Sequence, residues 1–233
     1  MAFEYIFTSL PSLPEKVGSK PGISVSDMAR MLDAEGGVAN ALGRMVFLQK
    51  DIKVLEMAEL GCDVPGGALF SADALRERSM LPAWLASLLS EGLAGSEGFG
   101  FDKVWRAYFR RAVEAADAAQ SSFLRTWLRW DVGLTCALAA HRASRMKMDS
   151  GVQSLGIEGT PDPSEYRAIT ESLVSIEERD EFNWKETDLL VAGARLSKAR
   201  SLAPVYTFDL DELMGYAAQL MVLSDFEYLG SKN

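Results

Sequence analysis

From Val38 to Leu60 the apolar residues Leu42, Met45, Val46, Ile52, Leu55 and Ala58 recur at about 3.6-residue spacing, and alternation of period two is absent. Such spacing gathers side chains on one face of a helix and excludes a half-buried strand. The same pattern, broken by glycine and proline, runs along most of the chain. A helix starting near Ser24 or Ser26 is expected to stop at Gly36-Gly37, where a left-handed cap is tolerated. The long helix over Val38–Leu60 ends at the turn-forming run from Gly61 to Gly67. Residues 71–90 read as two helices meeting at Pro82, and the four glycines within Glu91–Gly100 read as a linker.

Asp102 is placed to cap a helix carrying Trp105, Tyr108, Phe109 and Val113, and a second helix over Ser122–Met148 carries Phe123, Trp127, Leu134 and Leu138. These two predict a helical hairpin. After a connection at Gly151–Pro163 come helices near Ser164–Leu173 and Trp184–Leu202, the latter stopped by Pro204. The last helix, from Asp209, turns Leu213, Met214, Ala217, Leu220 and Met221 inward and leaves Asp211, Glu212 and Gln219 to solvent. Only Phe3–Ser9 has the aromatic and β-branched character of a short extended segment. The predicted fold class is therefore all-α. Its expected form is an array of helical hairpins divided as 1–95, a basic hairpin at 96–150 and an acidic C-terminal segment at 151–233.

Phe47-Leu-Gln-Lys-Asp-Ile-Lys-Val54 and Trp127-Leu-Arg-Trp-Asp-Val-Gly-Leu134 match at an aromatic, a leucine, an aspartate and two aliphatic positions, with an offset of 80 residues. Each lies inside a long helix, so the array is expected to contain two related units. Asp51 and Asp131 then stand mid-helix beside large apolar neighbours. They are candidate structural anchors, because a buried carboxylate needs a charged or hydrogen-bonding partner. The alternative for each is a water-facing position on the helix surface.

Composition narrows the chemistry. The 233 residues carry a formal charge of −9, which disfavours nucleic acid and anionic lipid as global partners. Two cysteines and one histidine, His141, are too few for a disulfide framework or a four-helix di-iron site. Cys136 and His141 are separated by roughly 140 degrees around a helix and do not face one ligand. The glycine cluster before Lys103 lacks the Lys-Ser/Thr ending and preceding strand of a phosphate-binding loop. The run Glu177–Glu181 reads as a solvated helix face. No cofactor, metal or catalytic residue is assigned, and a cytoplasmic chain without membrane insertion is expected, since no stretch approaches the roughly 20 apolar residues of a span.

The acidic average conceals a basic island. Residues 102–147 hold 9 basic and 4 acidic side chains. Arg106 and Arg110 share one helix face, and Arg125 and Arg129 share another. They are candidate contacts for an acidic protein partner, with pairing to Glu114, Asp117 or the C-terminal segment as the intramolecular alternative.

Three blocks carry a resemblance: Tyr5–Leu13, Trp127–Arg145 and Phe208–Leu220. They resemble a bacterial family encoded with V/A-type rotary ATPases. That family is itself similar to the C-type (eukaryotic d-type) component of the V-type ATP synthase, the helical adaptor between rotor shaft and membrane ring. Asp131, Leu134 and Arg142 fit the family pattern, whereas Thr135 and Cys136 stand where it has Arg and Asn, and Ser224-Asp225 where it has Arg-Trp. The resemblance implies a non-enzymatic accessory or central-stalk role, with the rotor shaft and the membrane ring as partners. A free helical adaptor outside the ATPase is the alternative. An enzyme would require a concave pocket with convergent polar groups.

Overall fold

The structure of the chain, a computed structural model, describes residues 3–62, 67–78, 80–94, 100–147, 157–179, 183–225 and 229–230. These residues form α1 (Glu4–Ser9), α2 (Val25–Glu35), α3 (Gly37–Glu59), α4 (Ala72–Arg76), α5 (Ala83–Ala94), α6 (Asp102–Ala118), α7 (Ser122–Arg145), α8 (Arg167–Glu177), α9 (Trp184–Leu202) and α10 (Leu210–Leu223). A 3₁₀ turn at Pro163–Tyr166 precedes α8, and no strand occurs among the described residues. The fold is all-α.

Local signals account for most boundaries. Ser24, Ser71, Ser121, Asn183 and Asp209 each accept a backbone N–H in the first turn of the helix that follows, satisfying donors that have no intrahelical partner. Gly36 and Gly37, at φ 72° and 58°, break the chain between α2 and α3 in a conformation that side chains other than glycine disfavour. Asp102 is the first residue of α6 rather than its cap, which is Phe101 without a side-chain bond. The expected linker begins later than glycine content suggests, because α5 continues to Ala94; residues 95–99 lie outside the described residues, as do 63–66 and 148–156 of the other two connections.

Phe3–Ser9 is not extended. Glu4–Ser9 forms a helical turn and a half in which the hydroxyls of Thr8 and Ser9 donate to the Tyr5 carbonyl. Tertiary contact overrides strand propensity here, since Ile6 is buried and the Phe7 ring meets the edge of Phe208.

Two helix classes build the body. In α2 the buried residues Val25, Met28, Ala29 and Leu32 form a single stripe, and α6 buries one face through Val104, Tyr108, Phe109, Ala112 and Val113. By contrast α3 is buried without interruption from Val46 to Ile52, and α7 from Trp130 to Leu134. Helices surrounded on all sides must sit at the centre. α2 folds back on α3, α6 folds back on α7, and α10 packs across α3, α9, α7 and α2. Close approach needs small residues: a side chain at Gly43 would collide with Leu32 of α2. One continuous buried cluster runs from Ile6 to Leu223, and each fully buried large side chain in it, such as Phe47, Phe109 or Leu134, contributes about 1.5–3 kcal/mol.

Two residues assigned to solvent are instead ties between distant segments. Asp211, on the first turn of α10, accepts from Ser122 N at 3.0 Å, Phe123 N at 3.2 Å and the hydroxyls of Ser121 and Ser122, so α10 caps the start of α7. Burial works to raise the Asp211 carboxyl, but these hydrogen bonds prevail and hold it below the usual carboxylate range. Glu212 accepts from the backbone N–H groups of Tyr206, Thr207 and Phe208 at 2.7–2.9 Å. That clamp holds Tyr206 and Phe208 at φ 61° and 53°, an unfavourable region for aromatic residues. Among the described residues no helix is long and apolar enough to cross a membrane.

Candidate functional site

Three consecutive residues at the middle of α3, Gln49, Lys50 and Asp51, are all buried and polar. Successive helical residues point about 100 degrees apart, so the three reach three different neighbours. Gln49 Nε2 donates to Asp131 Oδ2 on α7 at 2.5 Å. Lys50 pairs with Asp225, just beyond α10. Asp51 Oδ1 turns to the segment after α3 and accepts from Leu69 N at 2.8 Å and Phe70 N at 3.4 Å. One helical turn thereby fixes α7, the end of α10 and the segment leading to α4.

Asp131 is fully buried and accepts a second bond from Arg195 Nε of α9 at 2.7 Å. The two aspartates of the sequence repeat therefore do different work. Asp51 organises its own unit, whereas Asp131 joins α3, α7 and α9. The repeat also meets itself, because the Gln49 that bonds Asp131 lies two residues before Asp51.

Charge in this interior is perturbed by burial. Desolvation raises the Asp51 carboxyl to about 6 against the two N–H donors and Lys50, which act to lower it. Desolvation, and then Lys53, depress the Lys50 ammonium to about 6. The Asp225 carboxylate seated on Lys50 acts in the opposite direction, since an adjacent anion favours the charged amine. Lys53 is also lowered, first by desolvation and then by Arg195 and Arg142, with Asp188 and Glu56 opposing.

Lys50, Lys53, Arg142 and Arg195 converge on a cavity of about 360 Å³ between α3, α6, α7, α8, α9 and α10. Its lining mixes these cations with the carboxylates of Glu56, Glu177, Asp188 and Asp225 and with apolar side chains including Trp105, Phe109 and Leu138. Several polar groups are already engaged. Trp105 Nε1 donates to Glu56 at 2.9 Å, and Glu177 lies 3.0 Å from His141 Nε2 and 3.3 Å from Arg145 Nε. Glu177 is thus tied to α7, whereas Glu178 and Arg179 of that run are exposed, as expected of a solvated face; residues 180 and 181 lie outside the described residues. A concave pocket with convergent polar groups exists, so that criterion does not remove an enzymatic role.

The four arginines of the basic island lie elsewhere and do not form one surface. Arg125 and Arg129 reach Asp117 at 3.8 and 3.4 Å, and Arg129 Nε donates to the Glu158 carbonyl at 3.1 Å. Arg106 is half-buried and Arg110 exposed, both in the first half of α6. Because α6 and α7 are antiparallel across a short turn, Arg106 stands roughly 16 Å along the helix axis from Asp117. The basic island divides into an intramolecular cluster at the turn and a separate pair near the start of α6. Neither lines the cavity, and neither Asp51 nor Asp131 opens onto it. Lys50, Lys53 and Arg195 escaped sequence reading, and Asp225 entered it only as a departure from the family pattern; the one available signal was the unbroken polar run Gln49–Asp51 at the middle of α3.

No protein family, curated protein or solved structure matches the chain.

Proposed function

We propose that this chain is a non-catalytic adaptor of a V/A-type rotary ATPase, working as an accessory or central-stalk component between the soluble rotor and the membrane ring. The reading starts from the resemblance of the blocks at Tyr5–Leu13, Trp127–Arg145 and Phe208–Leu220. The observation that carries it further is the buried junction at Asp131. An adaptor transmitting torque must resist sliding of its helices. Ion pairs and hydrogen bonds tying α3, α7 and α9 through one carboxylate, with Asp211 tying α10 to α7, oppose that sliding in a close-packed interior. Binding would place the chain at the cytoplasmic side of the membrane through its partners.

A tagged full-length chain, expressed in the organism of origin and extracted gently, tests this. Retention of rotor-shaft or membrane-ring proteins supports the proposal. Loss of every rotary-ATPase component under conditions that keep the ATPase itself assembled would sink it, and would leave the free helical adaptor as the better reading.

A further inference from the structure

Lys53 of α3, Arg142 of α7 and Arg195 of α9 bring three positive charges to one cavity from three separate helices. Arg142 is exposed and Lys53 and Arg195 are only partly buried, so water screens part of their mutual repulsion and an entering anion would offset the rest. The carboxylates nearby are largely committed. Asp225 is seated on Lys50 and offers Lys53 only a 3.7 Å approach, Glu56 holds Trp105, and Glu177 holds His141 and Arg145. Arg195 gives its Nε–H to Asp131, and Asp188 acts on Lys53 in the stabilising sense. Arg142 makes no ion pair among the described residues. The Thr187 hydroxyl also faces this lining, buried and without a hydrogen-bond partner there.

Beside this polar wall lie Trp105, Phe109, Leu138 and Val191. We infer that the cavity binds a small phosphate-bearing metabolite, its dianion set among Lys53, Arg142 and Arg195 and its apolar body against Trp105, Phe109 and Leu138. Guanidinium groups match phosphate oxygens through paired N–H donors, and a dianion offsets more of the clustered charge than a carboxylate does. The volume of about 360 Å³ suits a metabolite rather than a peptide. The repulsion that Arg195 and Arg142 impose on Lys53 is relieved when the anion enters. This inference stands independently of the rotary-ATPase reading, since neither the ligand nor its test involves a partner protein.

Titration calorimetry of the full chain at low salt, with phenyl phosphate and inorganic phosphate as probes, tests it. Phenyl phosphate is expected to bind saturably and more tightly than inorganic phosphate, with Lys53→Gln and Arg142→Gln each weakening binding about tenfold. Absence of binding up to about 10 mM, or equal affinity in both variants, overturns the site. Equal affinity for the two probes overturns its apolar half. A second readout needs no variant: acetic anhydride labelling of the wild-type chain, followed by mass spectrometry, should show Lys53 protected by phenyl phosphate and not by phenol. Unprotected Lys53 overturns the inference even if the variants fail to fold.

Discussion

Replacing Arg195 by Met keeps most of the aliphatic stem of the side chain and removes the charge that faces Asp131. The Asp131 carboxylate is 0 % exposed and would retain only the Gln49 amide. Leaving a buried anion unpaired costs about 3–5 kcal/mol in typical cases. Arg195→Met is therefore expected to lose about 3–5 kcal/mol, or about 10 °C in Tm for a chain of this length. Thermal and urea unfolding followed by circular dichroism measure it. The double variant Asp131→Asn with Arg195→Met removes the buried charge altogether and should recover most of the loss. A loss below about 1 kcal/mol would mean that water solvates Asp131 and that the junction is not what locks the helices.

Asp51 titrates near 6 in the folded chain, above the ordinary carboxylate value, so its contribution to stability is full below about 4 and is lost as pH rises through 6. Asp51→Asn should gain about 3 kcal/mol relative to wild type between pH 4 and 7, and parallel Tm–pH curves would refute this. Asp211→Ala removes the cap on α7 and should cost about 1–2 kcal/mol at neutral pH; because the native carboxyl is held low, the gap to wild type must shrink as pH falls into the carboxylate range, and a gap that widens counts against the tie. At Gly133 an added methyl group would overlap the Tyr166 hydroxyl, which donates to the Trp130 carbonyl, so Gly133→Ala should destabilise by about 1–3 kcal/mol despite the better helix propensity of alanine. Arg106→Glu with Arg125→Glu should weaken retention of ATPase components while lowering stability by under about 1 kcal/mol, as expected of exposed or half-exposed charges; a large fall in Tm would assign these arginines to the fold alone.

What could be read from the sequence was what the chain decides locally. Ser24 and Asp209 cap helices by bonding N–H groups three residues away, and Gly36 ends one by its own backbone freedom, so residue type alone betrays them. Helical spacing sends the carboxylates of Asp211 and Glu212 to solvent, yet Asp211 acts on Ser122, 89 residues earlier. Nothing in periodicity reports a partner at that separation. The helix at Glu4–Ser9 was hidden for a related reason, because its conformation answers to Phe208 and the buried environment of Ile6 rather than to its own composition. Asp51 and Asp131 could be singled out by their repeat, but their partners could not. The cavity was wholly illegible, since Lys53, Arg142 and Arg195 come together only after α3, α7 and α9 have packed.

The bond from Asp211 to the start of α7 also bears on the order in which the chain can be completed during synthesis. The α6–α7 hairpin leaves the ribosome long before residue 211, with Ser122 N and Phe123 N still unsatisfied and the faces of α3 and α7 that await α10 still wet. The bond from α10 to the start of α7 spans 89 residues and the packing of α10 on α3 spans more, which slows closure and prolongs the interval in which apolar helix faces are exposed. Early intermediates should consequently be loose and prone to association, with cooperative locking arriving only when the final helix docks.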